Sequence, residues 1–181
     1  MKKLLLVASL VVATAAALAQ GTVNFNNYVV PAGINAPVYD VDGTTKLAGT
    51  SFWVQLYGGP EGTPAESLVA VGSPINFRTG AAAGYFTGGT VAVTGVALNA
   101  NAAVQVRAWN APFATYEIAM VSGGGKWGWS NLLTVSTGGG GEPPKVPGDL
   151  IGLQSFTLIP EPSTIALALL GAAALLLRRR S

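Results

Sequence analysis

The sequence contains no cysteine and no histidine. Without cysteine there are no disulfides, no thiolate nucleophile and no Cys-ligated metal. Without histidine the commonest general base and the commonest transition-metal ligand are both missing. Charge is scarce as well: Asp, Glu, Lys and Arg make up 10% of the 181 residues, against roughly 25% in ordinary soluble domains. A long surface helix needs Glu, Lys, Arg and Leu, so extended helical structure is not expected in the body of the chain. What the sequence does have is 24 glycines with abundant Ala, Val and Thr, a mixture that suits short strands joined by tight turns.

The formal charge of +2 belongs to the ends. Lys2, Lys3, Arg178, Arg179 and Arg180 are terminal. Between Gln20 and Ile159 the bases are Lys46, Arg78, Arg107, Lys126 and Lys145, and the acids are Asp40, Asp42, Glu61, Glu66, Glu117, Glu142 and Asp149. Five against seven leaves the body slightly acidic. No basic patch is available to neutralise phosphates, so nucleic-acid binding is not expected.

The N-terminus reads as a cleavable signal peptide over residues 1–19. Lys2 and Lys3 form the cationic start, residues 4–12 the apolar stretch, and Ala17 and Ala19 the small residues that a signal peptidase recognises. Cleavage before Gln20 follows, with the Sec translocon and signal peptidase as export partners. The apolar stretch is short and Ala-rich, below the roughly 20 residues of a stable span. An uncut start-anchor is therefore the less favoured alternative.

At the other end, Pro160-Glu161-Pro162 precedes Ser163 and Thr164, then the uncharged residues 165–177, then Arg178, Arg179 and Arg180. The prolines hold the short motif extended. Ser163 and Thr164 are suited to cap a following helix. Residues 165–177 are expected to form a transmembrane helix, somewhat short of a hydrocarbon core of about 30 Å unless arginines snorkel and the bilayer thins. The arginines act as a stop-transfer signal that stays cytoplasmic and leaves the body outside the inner membrane. This order of motif, apolar segment and basic tail resembles the PEP-CTERM sorting signal of Gram-negative bacteria, here residues 160–181. The resemblance implies an exosortase, a membrane-embedded cysteine protease-transpeptidase, as partner. It also implies transient inner-membrane anchoring, then delivery to the cell surface, extracellular matrix or exopolysaccharide, with Pro160, Glu161 and Pro162 as the recognition element.

Residues 20–159 are expected to form an all-β, antiparallel β-sandwich, Ig-like or jelly-roll-like, with helix confined to the signal segment and the C-terminal transmembrane segment. Period-two patterning carries this reading. In residues 51–57, Phe52, Val54 and Leu56 share one face, and Trp53 and Tyr57 the other. In residues 104–109, Val104, Val106 and Ala108 oppose Gln105, Arg107 and Trp109. Val23 to Asn26, Val29 with Val30, Val91 with Val93, and residues 116–121, 131–135 and 154–158 are further strand candidates. Asp42-Gly43, Gly58-Gly59-Pro60, Gly72-Ser73-Pro74, Gly88-Gly89 and Gly123-Gly124-Gly125 read as the turns between them. Residues 52–59 and 104–109 also resemble domains found with this sorting tail, a likeness that implies no activity. Residues 136–149 are Gly- and Pro-rich, a flexible loop or a linker. The alternation resuming over residues 150–158 favours a loop before a final strand lying directly against the sorting motif.

Candidate chemistry is sparse. Asp40-Val41-Asp42-Gly43 resembles the opening of a calcium loop, but Gly49 stands where the bidentate acid belongs, so an Asp-Gly turn is preferred and no metal is expected. Glu117 lies in an apolar run and reads as a solvent-facing strand position, with a glycosidase carboxylate as the alternative. No nucleophile elbow is present, and the glycine-rich stretches lack the Lys and Ser or Thr of a phosphate loop. Trp127 and Trp129 should point to one side of an extended segment. They are candidate glycan-binding residues, although core packing is the preferred role. The expectation is a non-enzymatic envelope or matrix protein without cofactors. A carbohydrate-binding module is the alternative, and a polysaccharide hydrolase is third.

Overall fold

The computed structural model describes residues 20–160. The signal segment with Ala17 and Ala19, and the tail from Glu161 through Pro162, residues 165–177 and Arg178 to Arg180, lie outside the described residues. The described chain is mostly β-strand with one short α-helix. The strands are β1 (Gln20–Asn26), β2 (Tyr28–Val29), β3 (Ile34–Asn35), β4 (Gly49–Pro60), β5 (Val69–Phe77), β6 (Thr87–Ala97), β7 (Asn101–Asn110), β8 (Lys126–Trp129), β9 (Leu133–Ser136), β10 (Gly148–Asp149) and β11 (Ile159–Pro160). Helix α1 (Tyr116–Val121) links β7 to β8. The larger sheet runs β11-β8-β7-β4-β5, with β9 also paired to β7; the smaller runs β10-β1-β6; β2 and β3 form a separate pair.

The centre of the molecule is the antiparallel pair β4 and β7, in unbroken register from Phe52 opposite Asn110 to Pro60 opposite Ala102. Both faces of this pair are covered, which is why its sequence is apolar nearly throughout. On one face Val54, Leu56, Val104, Val106 and Ala108 join Val23 and Phe25 of β1 and Val93 of β6 in the main core. Fully burying a side chain of this size contributes about 2 kcal/mol. On the other face Tyr57 and Trp109 join Tyr116 and Ala119 of α1 in a second, smaller cluster, with Trp53 packed against it. The two sheets share one core, an arrangement consistent with a β-sandwich. The expected facing of residues 51–57 and 104–109 is the observed one.

Four expectations are corrected. Residues 116–121 are helix, not strand. Thr115 caps α1, its Oγ1 accepting from the Ile118 amide at 3.3 Å, and the buried residues Tyr116 and Ala119 are spaced three apart as on a helix face. The Gly-Pro groups at 58–60, 72–74 and 88–89 lie inside β4, β5 and β6. A Cβ on Gly58 would sit 2.8 Å from Val93 Cγ1, so glycine here permits the two sheets to meet. Gly72, at φ +67°, belongs to a bulge in which residues 72–74 face Gln55 between the pairs Val54–Ile75 and Leu56–Val71. Residues 150–158 are not a strand. Leu150, Leu153 and Leu158 are buried, and tight turns bring the Ile151 amide to the Asp149 carbonyl and the Leu153 amide to the Leu150 carbonyl. Finally, the sheets are not wholly antiparallel: β10 pairs with β1 in parallel.

Residues 136–149 form a loop that returns to the sheet. Gly138 and Thr22 exchange backbone hydrogen bonds, and the Lys145 amide donates to the Gly140 carbonyl. Asn24 Nδ2 then donates to Asp149 at 2.6 Å. Asn27, buried with no exposed surface, ties three segments together. Its Nδ2 donates to the carbonyls of Ala36 and Gly84, and its Oδ1 accepts from the Phe86 amide.

Candidate functional site: a tryptophan-lined groove beside the sorting motif

The Trp127-Gly128-Trp129 run has a physical reason at each position. It forms β8 beside β7, with Trp127 opposite Trp109 and Trp129 opposite Arg107. Alternation sends both indoles to the face away from the main core. A Cβ on Gly128 would lie 2.8 Å from the Thr157 carbonyl oxygen, so glycine allows the chain around Leu158 to close over the other face. The indoles stack on each other, centroids 5.3 Å apart and planes 17° from parallel. Trp127 packs against the second cluster, edge-on to Tyr116 at 5.9 Å, while Trp129 is 45% exposed. Core packing thus describes Trp127, and Trp129 presents itself to solvent. The Trp127 Nε1 is buried without a hydrogen-bond partner among the described residues.

Arg107 forms the floor of the groove. Its guanidinium lies 4.1 Å from the Tyr57 ring centroid and 5.1 Å from that of Tyr116. Nη2 donates to the Ala65 carbonyl at 2.6 Å and Nε donates to Gln105 Oε1 at 3.0 Å. Glu117, in the first turn of α1, accepts the Tyr57 hydroxyl at 2.7 Å and stands 3.9 Å from Arg107. Burial pushes the Glu117 carboxyl up, but the Tyr57 hydroxyl, its own backbone amide, the Thr115 side chain and Arg107 outweigh it, and the carboxyl sits below its ordinary value. Burial, with the Glu117 hydrogen bond behind it, pushes the Tyr57 phenol up. Burial raises Tyr116 to about 12. Glu66, Leu68 and Met120, with Arg107, Tyr116, Glu117, Trp127 and Trp129, line a groove of about 500 Å³.

Sequence reading paired Trp127 with Trp129 and singled out Glu117, but left all three unconnected. Arg107 and Tyr116 were missed as groove residues. The signal for Arg107 was its place in the exact alternation of β7, on the face shared with Trp109.

The Asp40–Gly43 segment is a turn. Asp42 accepts from the amides of Thr44 and Thr45 and from the Thr45 hydroxyl. The Thr45 hydroxyl and these amides hold its carboxyl down at about 2. Asp40 pairs with Lys126 at 2.8 Å. The described residues include no group of three or more acidic side chains arranged to hold a metal ion.

The start of the sorting motif belongs to the folded body. Tyr39 brackets the incoming chain, its amide donating to the Phe156 carbonyl and its carbonyl accepting from the Leu158 amide. Leu158 is buried in the main core. Then β11 pairs with β8, Ile159 opposite Trp127 and Pro160 opposite Lys126. A proline fits there because β11 is the edge strand and Pro160 its last residue. The Pro160 position is thus a neighbour of the groove.

Residues 158–180 match the family model described as a PEP-CTERM protein-sorting motif. The chain therefore joins a mostly β body to a PEP-CTERM sorting motif, whose first three matched residues are the last residues of that body. The motif implies an exported protein that is anchored in a membrane before processing and has an exosortase as its processing partner. Comparison with curated proteins and with solved structures returns no significant match. No helix among the described residues is long and apolar enough to cross a membrane.

Proposed function

We propose that the protein is a non-enzymatic component of the cell surface or extracellular matrix, delivered there as an exosortase substrate and associated with exopolysaccharide. The observation that carries this reading is the match over residues 158–180 joined to the body without a linker. In this reading Pro160, Glu161 and Pro162 are the recognition element, residues 165–177 a transient anchor and Arg178 to Arg180 the stop-transfer charge. Glu117 accepts from Tyr57 and lies near Arg107, which gives that carboxylate a structural role. The test is C-terminal mass spectrometry of the mature protein from a host with and without an exosortase. Loss of the three arginines only when the enzyme is present is the expected result. Arginines retained in both hosts make the tail a permanent anchor and refute the proposal.

The groove favours a second reading, a glycan-binding surface. The exposed face of Trp129 and the ionised Glu117 supply a stacking plane and an acceptor. Arg107 uses Nε and Nη2 inside the protein and faces the Glu117 carboxylate, so the chemistry suits neutral sugars better than uronic acids. Titration of tryptophan fluorescence with cellohexaose, maltohexaose and oligogalacturonate tests this. Saturation by a neutral hexaose, lost in Trp129→Ala, is expected. Equal response to all three, or none, removes the reading.

A further inference from the structure

The position at which the chain leaves the body determines which surface faces the membrane. Pro160 lies opposite Lys126, the first residue of β8. Because β11 and β8 are antiparallel, the departing chain heads toward the end of the sheet that holds residues 121–125, the close of α1 and its glycine turn. From Pro160 to Ile165, where the apolar tail segment begins, is five residues. Fully extended they reach no more than about 18 Å. A body tethered so closely cannot turn this end away from the bilayer.

The residues at that end suit lipid. Val121 is 74% exposed and Met120 and Ile159 are also exposed. Val41 is exposed in the turn that Asp40 ties to Lys126. Exposed apolar side chains beside a lysine suit a membrane–water interface. At the opposite end of the sheet Pro60 pairs with Ala102, Glu61 accepts from Asn101, and Ser136 leads into the loop that carries Glu142. Carboxylates stand at both ends, Asp40 and Asp42 flanking Val41, so the tether and not charge sets the orientation.

We infer that the end of the body formed by Val41, Met120, Val121 and Ile159 rests on the lipid–water interface of the membrane that holds the precursor. The inference depends on the anchored-precursor reading above and specifies the orientation of the body within it. The lipid surface is chosen over a second copy of the chain because the tether holds the membrane within reach at any concentration of the chain.

The full-length precursor has no cysteine, so Val121→Cys, Val41→Cys and Val69→Cys each give a single labelling site for an environment-sensitive NBD probe. Val69 is exposed on β5, the far edge of the larger sheet, and pairs with Gly58 toward the opposite end. The labelled precursors are reconstituted in phosphatidylethanolamine–phosphatidylglycerol vesicles, with and without lipids spin-labelled at headgroup depth. Probes at positions 121 and 41 should emit to the blue and lose at least half their intensity to the spin-labelled lipid, while the probe at 69 changes little. Water-like emission at all three positions in precursor that floats with the vesicles overturns the inference alone. A blue shift that depends on protein concentration and resists lipid quenching assigns the face to a second copy and also overturns it. Precursor that does not float refutes the anchored reading and the inference together.

Discussion

The Tyr57 hydroxyl donates to Glu117 at 2.7 Å, joining β4 to α1 across sixty positions of sequence. The bond helps fasten the helix over the second cluster, and it brings an ionised carboxylate to the wall of the groove.

Its contribution should depend on pH. The Glu117 carboxyl is lowered below its ordinary 4.5 in the folded chain. A depressed carboxylate stabilises the fold above the unfolded pKa, and that stabilisation is lost as pH falls through the folded value. Glu117→Gln should therefore cost stability at pH 7, about 1 kcal/mol or less because the side chain is 55% exposed. The gap between variant and parent should close in acid. Urea denaturation at pH 7 and pH 3 checks this, and a constant gap would show that ionisation is not involved.

Gly58 of the larger sheet and Val93 of the smaller one stand in close contact. Gly58→Ala should destabilise by about 1–3 kcal/mol, since its new Cβ meets Val93 Cγ1. Val93→Ala alone opens a cavity and is also destabilising. The double variant should be more stable than the sum of the two losses predicts, and a double-mutant cycle by thermal denaturation measures that coupling. Strict additivity would place the strain elsewhere.

Much of the body was legible because its chemistry is local. The alternation in residues 51–57 and 104–109 assigned faces correctly, and Asp42-Gly43 read correctly as a turn. Helix α1 was missed because six residues offer too short a window to separate a period of 3.6 from a period of 2, and Tyr116, Ile118 and Val121 resemble a strand in composition. Thr115 was the available cue. Glycine was read as punctuation, yet Gly58 and Gly72 serve close approach and a bulge within strands, which depends on neighbours remote in sequence. The groove was illegible for the same reason: Arg107, Glu117 and Trp129 converge only through sheet pairing and the packing of α1.

Asn27 is the polar residue whose loss should be most damaging. Asn27→Ala would leave two carbonyls and one amide without their side-chain partner in the core. The cost should be about 3 kcal/mol, seen as a large fall in the urea midpoint with little change in slope. A loss under 1 kcal/mol would mean that water replaces the side chain readily.

The mature N-terminus should be Gln20. Mass spectrometry of the envelope-associated protein should show a chain lacking residues 1–19, as Ala17 and Ala19 require. In the structure Gln20 opens β1 opposite Ala97, so cleavage there leaves the strand intact. A chain that still begins at Met1 would refute the expectation.

The placement of β1 also sets when the body can assemble. It is the middle strand of the smaller sheet, between β6 and β10, and its Asn24 bonds to Asp149 across 125 positions. The smaller sheet is therefore complete only when residue 149 is available, although β1 can pair with β6 before then. Pairings so distant in sequence form slowly. Residues 150–160, with Leu150, Leu153 and Leu158, must follow before the core is full.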